Sequence, residues 1–491
     1  MIQSLLNSEE LLRAVKGSKI EKSPAECIFT DVQTDSRNIS EKGQGKGPCM
    51  FVPLVGENQD GHKYIPSVLD GKKDVGVILL NESEYNSKPE FYNELAEKNP
   101  SVLFVKVLNT LHALQNAAEA YADKKCSDMI KISITGSSGK TTTKEMMVAV
   151  CKSYFGEDSV AYTKGNFNSE TGLPLSVFQI RGDEKVCILE MGMNRVNEIG
   201  EISKVFKSKY GIITNIGTAH IGILGSQENI AREKRKSFDY IPEDGAVFVN
   251  KADPFADFCT EKVKGKVVKF GKNIPASESG VEFIADKGLF GTEFTIDGIK
   301  TNLSLSGEYN FYNALAVIAC AKEIGIPSQK IKEGLESLSA IPGRMESRQL
   351  SLIKNGKKII VLKDCYNANL DSMQKVLEFC RELKNIGKKI FVLADMKELG
   401  NESQESHKKI GHLVKEIMPE YAFFVGEEMN AAYDVCNGEN IAYYENSSKE
   451  TLKTISEKII SVAEENDLVL LKGSHSMHLE NLIPLLCTEG V

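Results

Sequence analysis

Apolar runs of strand length alternate with amphipathic helical patterns along most of this chain. In its middle, these runs are "MIKISI", "KVCILEMG", "KYGIITNIG" and "GAVFVNK", each leading into polar or glycine residues. Towards the end, the same pattern returns in "KIIVLKD", "KKIFVLAD", "YAFFVGE" and "DLVLLKGS". Continuous apolar strands that alternate with helices are typical of parallel sheets covered on both faces. The pattern therefore predicts two doubly wound α/β units.

The beginning of the chain mixes shorter strands and helices. "DVGVILL" and "SVLFVKV" have strand length, a helical pattern covers Thr110–Lys125, and a further helix is predicted over Ala314–Pro327. A chain of 491 residues fits about three domains. We expect α/β domains of three kinds: a small one at 1–108, a central P-loop-type domain with a parallel sheet at 109–342, and a Rossmann-like domain at 343–491.

Composition narrows the class of protein. The net charge is -8 with a pI of about 5.7, and no long Lys/Arg block occurs, so nucleic acid and anionic membranes are poor partners. The 11 cysteines form no C-x-x-C pair, which argues against a zinc site and for a reducing compartment. No run approaches the ~20 apolar residues of a membrane helix, and the start lacks a leader pattern. We expect a cytoplasmic monomer without membrane insertion.

The stretch "ISITGSSGKTTTKE" predicts a phosphate-binding loop between a strand and a helix. It departs from G-x-x-x-x-G-K-[ST] because Ile134 stands where the first glycine is usual. Glycines let backbone amides form an anion nest, and the N-terminus of the following helix adds positive charge. Lys140 can reach terminal phosphates, and the Thr141 hydroxyl can bind Mg²⁺. The predicted loop residues are Gly136, Ser137, Ser138, Gly139, Lys140, Thr141 and Thr142.

Polar residues end the strands of the predicted central sheet. Thr135, Glu190, Asn215 and Asn250 occupy such ends, and carboxyl ends of parallel strands meet in one crevice. Glu190 can hold Mg²⁺ opposite the loop threonine, as Walker-B acids do. His220 lies in the glycine-rich loop after the next strand, where it is either structural or a ligand. From the residues alone, Lys234 and Lys236 belong to a solvated basic helix face.

One motif suggests a different class of protein, a GTPase. "NKAD" (Asn250–Asp253) matches the N-K-x-D motif that reads guanine. A GTPase also carries Asp-x-x-Gly between its glycine loop and this motif. The intervening aspartates lack a glycine three residues on, namely Asp158, Asp183, Asp239 and Asp244. We therefore interpret the match as coincidence.

Taken together, these segments resemble the Mur ligases, the ATP-dependent amide-forming enzymes of peptidoglycan precursor synthesis, over nearly the whole chain. "TGSSGKTTTKE" is similar to the family's shortened phosphate loop, and "ITNIGTAHIGILGSQENIAREK" to its histidine loop and lysine helix. "TKGNFNSETGLPLS", "LEMGMN", "KDCYNANLDSM", "ADMKELG" and "LKGSHSM" resemble the members that add D-alanyl-D-alanine. "TDSR" and "FVPLVGENQDGH" resemble a domain that binds a UDP-sugar.

The resemblance implies a reaction and its cofactors. ATP would phosphorylate the carboxylate of UDP-MurNAc-tripeptide to an acyl phosphate, and D-Ala-D-Ala would attack it to give the pentapeptide, ADP and phosphate. Two Mg²⁺ ions are implied, the first held by Thr141 and Glu190. The second would be held by Glu190, His220 and a carbamylated Lys234.

The resemblance also assigns the remaining site residues. Lys140 would contact the transferring phosphoryl group, and Arg344 would reach the nucleotide phosphates from the third domain. Asn310 and Asn313 would face the adenine, and Asp364 the ribose. The UDP end would be bound by Asp35, Ser36 and Arg37, and the acceptor peptide by Thr163, Asn166 and Asn168. Near the incoming dipeptide or the inter-domain crevice would lie Tyr366, Asn367 and Asn369. Since Lys140 and Arg344 lie on different domains, we expect the domains to close on binding ligands.

Some positions depart from the family pattern, and some alternatives stay open. Tyr309 replaces a usual histidine, Ser169 an asparagine, Lys236 a glutamate and His475 an arginine. The alternatives are a sister ligase that adds the third residue, against which the Tyr366–Asn369 quartet argues, and a nucleotide-dependent switch without ligase chemistry. Whether the third residue of the acceptor is diaminopimelate or lysine is left open.

Overall fold

The computed structural model describes residues 4–45, 47–57, 59–338, 340–353 and 356–487. Within these residues the strands form four sheets, of five, six, three and six strands. The sheets occupy residues 18–107, 130–270, 281–303 and 346–472. Domain boundaries at 108 and 342 stay predictions.

The first unit is a small, mostly parallel sheet. Its strands are β1 (Ser18–Lys19), β2 (Asp31–Gln33), β3 (Cys49–Phe51), β4 (Val75–Asn81) and β5 (Leu103–Val107), in the order β1-β5-β4-β3-β2. Only the short β1 is antiparallel to its neighbour among the described strands of this sheet. Its helices are α1 (Ser8–Val15), α2 (Ile65–Val68), α3 (Glu82–Ser87) and α4 (Pro89–Lys98).

The central unit is built on a six-stranded parallel sheet in the order β11-β10-β9-β6-β8-β7. Its strands are β6 (Ile130–Thr135), β7 (Val160–Tyr162), β8 (Val186–Glu190), β9 (Tyr210–Ile213), β10 (Ala246–Asn250) and β11 (Lys266–Phe270). The helices around it begin with α5 (Thr110–Lys125), α6 (Lys140–Phe155), α7 (Gly172–Phe178), α8 (Glu198–Phe206), α9 (Ile221–Leu224), α10 (Gln227–Lys234) and α11 (Ala256–Thr260). Strand β6 lies in the middle and delivers the glycine loop to the centre of the carboxyl edge.

Both faces of this sheet are covered, as the apolar runs predict. Along β8, Val186 and Ile188 enter the core formed with α6, whereas Cys187 and Leu189 enter the core on the α5 side. This alternation explains why the strand is apolar throughout, since neither face meets water.

A small antiparallel sheet follows, which the apolar pattern does not predict. After α12 (Ala276–Ser279), it consists of β12 (Val281–Asp286), β13 (Thr292–Ile296) and β14 (Ile299–Leu303). β13 and β14 are joined by Asp297 and Gly298, both with positive φ of 48° and 80°. Asp-Gly is a strong two-residue hairpin signal, so the sequence contained this information.

Two helices complete the central unit. α13 (Glu308–Glu323) begins before the predicted start at Ala314 and ends before the predicted Pro327. Gly325, with a φ of 82°, separates it from α14 (Ser328–Glu336). The part of α13 before Ala314 was not predicted, because the polar residues at the start of this helix resemble a loop.

The third unit is a second doubly wound sheet, in the order β15-β16-β20-β17-β18-β19. Its strands are β15 (Glu346–Ser351), β16 (Lys358–Asp364), β17 (Lys389–Ala394), β18 (Tyr421–Val425), β19 (Ile441–Tyr444) and β20 (Leu468–Lys472). Its helices are α15 (Leu370–Glu382), α16 (Ser403–Ile417), α17 (Asn430–Cys436), α18 (Lys449–Val462) and α19 (Ile483–Leu486). β15 is antiparallel to β16, and the other described pairs are parallel. No helix in the described ranges combines the length and apolarity needed to cross a bilayer.

Candidate active site

The glycine loop joins β6 to α6 and depends on two glycines. Gly136 and Gly139 have positive φ of 154° and 78°, which L side chains rarely adopt. A Cβ on Gly139 would lie 2.6 Å from Oδ1 of Asn313, and one on Gly136 would collide with the Thr214 hydroxyl. Gly139 also places no side chain over the N-terminus of α6. The first amides of α6 are therefore available to an anion.

The two residues that follow β9 hold this loop in place through hydrogen bonds. Oδ1 of Asn215 accepts the amides of Ser137 and Ser138 at 3.1 and 2.9 Å, and its Nδ2 donates to the Ser138 hydroxyl at 2.7 Å. The Thr214 hydroxyl donates to the carbonyl of Ser138 at 2.6 Å. Asn215, predicted to reach the crevice from a strand end, therefore fixes the loop's shape.

Two lysines converge on a single carbonyl of the loop. Nζ of Lys140 and Nζ of Lys234 donate to the Gly136 oxygen at 2.9 and 3.0 Å. Lys234 is fully buried, so its predicted place on a solvated helix face is wrong. Burial, and then the nearby charge of Lys140, holds the pKa of Lys234 well below its usual value. Burial also lowers the pKa of Lys140, against the opposing charge of Glu190. Lys236 instead pairs with Glu233 at 2.7 Å.

Glu190 is the point where several elements meet. Its side chain is only 2% exposed; Oε2 accepts the Thr141 hydroxyl and Oε1 accepts Nδ2 of Asn168, both at 2.8 Å. Its own amide donates to the hydroxyl of Thr163 at 2.9 Å. Behind it, Nζ of the buried Lys144 donates to the Thr163 carbonyl at 3.0 Å. The carboxylate is thus held in one position beside the glycine loop.

Arg344 reaches this group from the beginning of the third unit. Its Nη2 donates to the hydroxyl of Thr141 at 2.9 Å, and its guanidinium lies 4.1 Å from the centroid of the Tyr366 ring. A guanidinium over an aromatic face is stabilised by the ring's charge distribution. The predicted convergence of Thr141, Glu190 and Arg344 is present in the structure.

His220 occupies the N-cap position of the short helix α9 and has a φ of 66°. Its Nδ1 lies 3.3 Å from Oε2 of Glu398 but completes no hydrogen bond with any described residue, although it is buried. Burial lowers the pKa of His220, with Lys234 and Lys140 adding to this and Glu398 opposing it. The contact with His220 lowers the pKa of Glu398. Glu398 was not among the predicted site residues.

The predicted nucleotide contacts lie between the central and third units. Nδ2 of Asn313 donates to Oδ1 of Asn310 at 3.2 Å, and Nδ2 of Asn310 donates to the Ser306 carbonyl at 2.8 Å. Asp364 ends β16 and pairs with the buried Lys472 at 2.7 Å. These side chains therefore hold fixed positions on either side of the inter-unit boundary.

Tyr309 lies between these units. It packs against the third unit's core, and burial together with the charge of Asp364 holds the pKa of its hydroxyl well above the usual value. A neutral hydroxyl thus stands where the family pattern has histidine.

The predicted UDP contacts belong to the first unit. Asp35 accepts the amide of Arg37 at 2.9 Å and pairs with its guanidinium at 2.6 Å. These hydrogen bonds lower the pKa of Asp35 to about 2. Ser36 begins the short helical turn that Asp35 caps. The Arg37 side chain is exposed, so it is open to an anionic ligand.

The residues predicted to contact the acceptor peptide and the dipeptide differ in exposure and in hydrogen bonding. Asn166 is exposed, and its carbonyl accepts the amide of Asn168 at 2.7 Å. Oδ1 of Asn367 accepts the amide of Ala368 at 2.8 Å, and Tyr366 is partly exposed. Oδ1 of Asn369 accepts the amide of Ser372 at 2.9 Å and forms a capping box for α15. The Asn369 side chain thus caps a helix in this structure, which the sequence signal N-x-x-S also permits.

Two further charged groups were missed. Lys472 ends β20 and donates to the Asn367 carbonyl at 2.7 Å, so it joins the end of β16 to the Tyr366–Asn369 segment. Asp371 in α15 accepts the Thr218 amide at 2.6 Å across the unit boundary. Lys472 could have been suspected because a lysine ends an otherwise apolar strand.

The donor set suits a hard divalent cation. The Thr141 hydroxyl and the Glu190 carboxylate, 2.8 Å apart, are oxygen ligands that Mg²⁺ prefers, and His220 adds a buried nitrogen without a completed hydrogen bond. Among the described residues no cluster of three or more His, Cys, Asp and Glu side chains has metal-binding geometry. The residues therefore fit one Mg²⁺ directly, and a second only with a further ligand.

The NKAD motif has a structural role. Oδ2 of Asp253 accepts the amide of Ile216 at 2.7 Å, and Oδ1 accepts that of Phe255 at 2.9 Å. Burial raises the pKa of this carboxyl. Since both oxygens bind the chain's own backbone, the motif supports the histidine loop rather than a base.

Family models and relatives of known name match this chain. Models described as "Mur ligase middle domain" and "Mur ligase, glutamate ligase domain" match residues 134–321 and 343–475. The UDP-N-acetylmuramoyl-tripeptide--D-alanyl-D-alanine ligase of Treponema pallidum is 35% identical, covering 99% of this chain and 100% of the relative. The enzyme of the same name from Bacillus subtilis is 30% identical, covering 97% of each.

Solved structures agree with this fold. A crystal structure of MurF from Acinetobacter baumannii superimposes with a TM-score of 0.81 at 25% identity, covering 97% of each chain. MurF ligase from Thermotoga maritima in complex with ADP gives 0.73 at 23% identity, covering 93% of this chain and 97% of that one. The predicted α/β fold class with three units is confirmed.

Proposed function

This chain belongs to the Mur ligase family, and we propose that it is the ATP-dependent ligase that joins D-alanyl-D-alanine to UDP-N-acetylmuramoyl-tripeptide. The observation that carries this is the contact of Arg344 with Thr141 beside Glu190. It puts a guanidinium from the third unit against the phosphate loop of the central unit. Such an arrangement suits transfer of a phosphoryl group between ligands held by different units.

The reaction has two balanced steps. An oxygen of the tripeptide's terminal carboxylate attacks the γ-phosphorus of ATP, the bond to the β-phosphate oxygen breaks, and ADP leaves. The amine of D-alanyl-D-alanine then attacks the carbonyl carbon of the acyl phosphate, loses a proton, and inorganic phosphate leaves. No covalent bond to the protein is needed. The residues act by positioning and by offsetting charge.

In the first step, two anions must approach each other. Lys140 and Arg344 supply positive charge beside the glycine loop, and the amides of Gly139–Thr142 add their dipoles. Ser137 and Ser138 keep the loop in shape through Asn215. The cations offset the repulsion between carboxylate and γ-phosphate, which lowers the barrier.

Mg²⁺ would supply further positive charge beside the phosphates. Thr141 and Glu190 would hold one ion. Glu190, His220 and a carbamylated Lys234 would hold a second. Both assignments rest on the oxygen ligands beside the loop and on the incomplete hydrogen bonding of His220.

Lys234 has the surroundings that a carbamate needs. Two ammonium groups on the Gly136 carbonyl would repel each other, and burial already disfavours the charged form of Lys234. A neutral amine is the form that attacks CO₂: a nitrogen–carbon bond forms, one carbon–oxygen π bond of CO₂ opens to leave a negative oxygen, and the nitrogen loses one proton to water. The resulting anion would attract Lys140 and give a second metal its missing oxygen ligand.

This modification predicts a dependence on CO₂ and pH. Ligation should fall in CO₂-free buffer and return with bicarbonate, while Lys234→Ala should respond to neither. Because a lowered pKa keeps Lys234 neutral to lower pH than an ordinary lysine, acid should abolish the carbamate only below that pKa. A carbamate signal from ¹³C-labelled CO₂ in NMR checks this. A wild-type signal that persists in Lys234→Ala would contradict the assignment.

The remaining contacts complete the binding of three substrates. Asn310 and Asn313 would face adenine, and Asp364 would face ribose. Asp35, Ser36 and Arg37 would bind the UDP end; Thr163, Asn166 and Asn168 the acceptor peptide; and Tyr366, Asn367 and Asn369 the dipeptide. For Asn369 we propose an indirect contribution through the cap of α15. We further propose a cytoplasmic monomer with domains at 1–108, 109–342 and 343–491.

Mass spectrometry of the product tests the function. The protein should convert UDP-MurNAc-tripeptide, D-Ala-D-Ala, ATP and Mg²⁺ to the pentapeptide. Parallel reactions with diaminopimelate and lysine tripeptides identify the acceptor. Incorporation of a free diamino acid instead would identify the sister ligase. Nucleotide hydrolysis without any peptide product would indicate a nucleotide switch.

A further inference from the structure

A loop of the third unit faces the histidine loop of the central unit. Oε2 of Glu398, which follows β17, lies 3.3 Å from Nδ1 of His220, which follows β9. Both residues have a φ of 66°. Non-glycine residues in this conformation are uncommon, and they persist where the surrounding structure fixes them.

The two loops also touch through their backbones. Gly222 lies in α9, and a Cβ added there would lie 2.6 Å from the nitrogen of Gly400 and 2.6 Å from the carbonyl carbon of Leu399. Real Cβ atoms essentially never approach backbone that closely. Only hydrogen fits, so α9 and the segment after Glu398 are held in one relative position.

A second bridge holds the same loop from the other side. Oδ2 of Asp371 accepts the amide of Thr218 at 2.6 Å and its hydroxyl at 3.2 Å. Gly217 leaves the room for this carboxylate, because a Cβ there would collide with it. The third unit thus contacts the segment 217–222 at both ends, and His220 lies between the two contacts.

The His220 ring requires an acceptor for its buried Nδ1. That atom completes no hydrogen bond within the described part of the chain, and leaving it so is costly. The Glu398 carboxylate needs only a small shift to accept it. A histidine whose Nδ1–H is held by a carboxylate presents Nε2 as its ligand atom.

We propose that Glu398 is a positioning residue for ligation: from the third unit it orients the imidazole of His220, so the site is complete only when the two units are docked. The role of His220 rests on the proposed function. The docking contacts at Gly222 and Asp371 do not, and they can be measured without turnover.

Gly222→Ala tests the docking. Alanine is favoured over glycine inside a helix, so the central unit should keep its fold while the new Cβ pushes the third unit away. Hydrogen exchange in the segment 216–224 should then rise about tenfold or more, since the Thr218 amide loses its acceptor. Gly438→Ala is the control, because its Cβ would meet its nearest neighbour at an ordinary 3.5 Å. Unchanged exchange in Gly222→Ala would overturn the docking.

Glu398→Ala tests the positioning. Its kcat should fall about 10–100-fold, as for other residues that orient a ligand histidine, while the Kd for ATP measured by calorimetry stays within about threefold. Glu398→Gln should lose less, because its amide oxygen can still accept from Nδ1. Exchange at 216–224 should remain near wild type in Glu398→Gln, since Asp371 still holds Thr218. Glu402→Gln, at an exposed carboxylate on the same loop, is the control.

The outcomes separate the two proposals. If wild-type protein makes no pentapeptide, the proposed function fails. Hydrogen exchange and solution scattering would still test whether the two units are docked. If product forms and Glu398→Ala retains wild-type kcat, the positioning role is wrong and the function stands. Equal weakening of ATP binding and kcat in Glu398→Ala would also count against positioning, because it indicates a general structural loss.

Discussion

Replacing Lys140 by alanine should lower kcat for ligation by about 10³-fold or more, the largest effect expected of any single change here. Its ammonium lies on the Gly136 carbonyl at the mouth of the nest, where the γ-phosphate must arrive. Nothing in alanine offsets the negative charge that gathers there during transfer. Steady-state kinetics of pentapeptide formation measure the loss.

The control for Lys140 lies on the same helix. Lys152→Ala removes a lysine of α6 that pairs with Glu157 away from the loop. Its kcat should stay within about twofold, since surface ion pairs contribute little. Thermal unfolding of both variants shows whether the fold is intact. A folded Lys140→Ala protein with near wild-type kcat would remove Lys140 from the chemistry.

Replacing Glu190 by glutamine should lower kcat by about 10²–10³-fold. Glutamine keeps the shape of the side chain; its amide oxygen can still accept from Asn168 while its NH2 donates to the Thr141 hydroxyl, so the fold should survive. It cannot supply the negative charge that holds a divalent cation beside the loop. The apparent affinity for Mg²⁺ should therefore fall together with kcat, as a Mg²⁺ titration of the rate measures.

Glu243→Gln provides the matched comparison for Glu190, because Glu243 is exposed in a turn before β10. Its rate and Mg²⁺ dependence should equal those of the wild type. If Glu190→Gln requires no more Mg²⁺ than wild type, Glu190 is not a metal ligand.

Periodicity predicted the four inner strands of each large sheet, but it missed the edge strands β7, β11, β15 and β19. A strand buried on both faces must be largely apolar, and β8 and β20, in which every residue is buried, satisfy this condition visibly. The hairpin of β13 and β14 was missed because its strands are half exposed and alternate with polar residues. Its Asp-Gly turn was the available signal.

The site was predictable only where a local motif carries its chemistry. The glycine loop and Glu190 follow from the order of strand, loop and helix. The burial of Lys234 could not be read from "AREKRK", because a charge run on a helix is usually solvated and only tertiary packing reverses this. Glu398 and Asp371 act across a unit boundary, and no local pattern reports such a contact.

The most direct measurement of the central claim follows an oxygen atom. The claim is that the glycine loop and its cations bring the γ-phosphoryl group of ATP onto the peptide's terminal carboxylate. If the tripeptide carboxylate is labelled with ¹⁸O, one labelled oxygen should appear in the inorganic phosphate released as D-Ala-D-Ala is joined. Phosphate without label, formed at the same rate as pentapeptide, would contradict the acyl phosphate and with it the role assigned to this site.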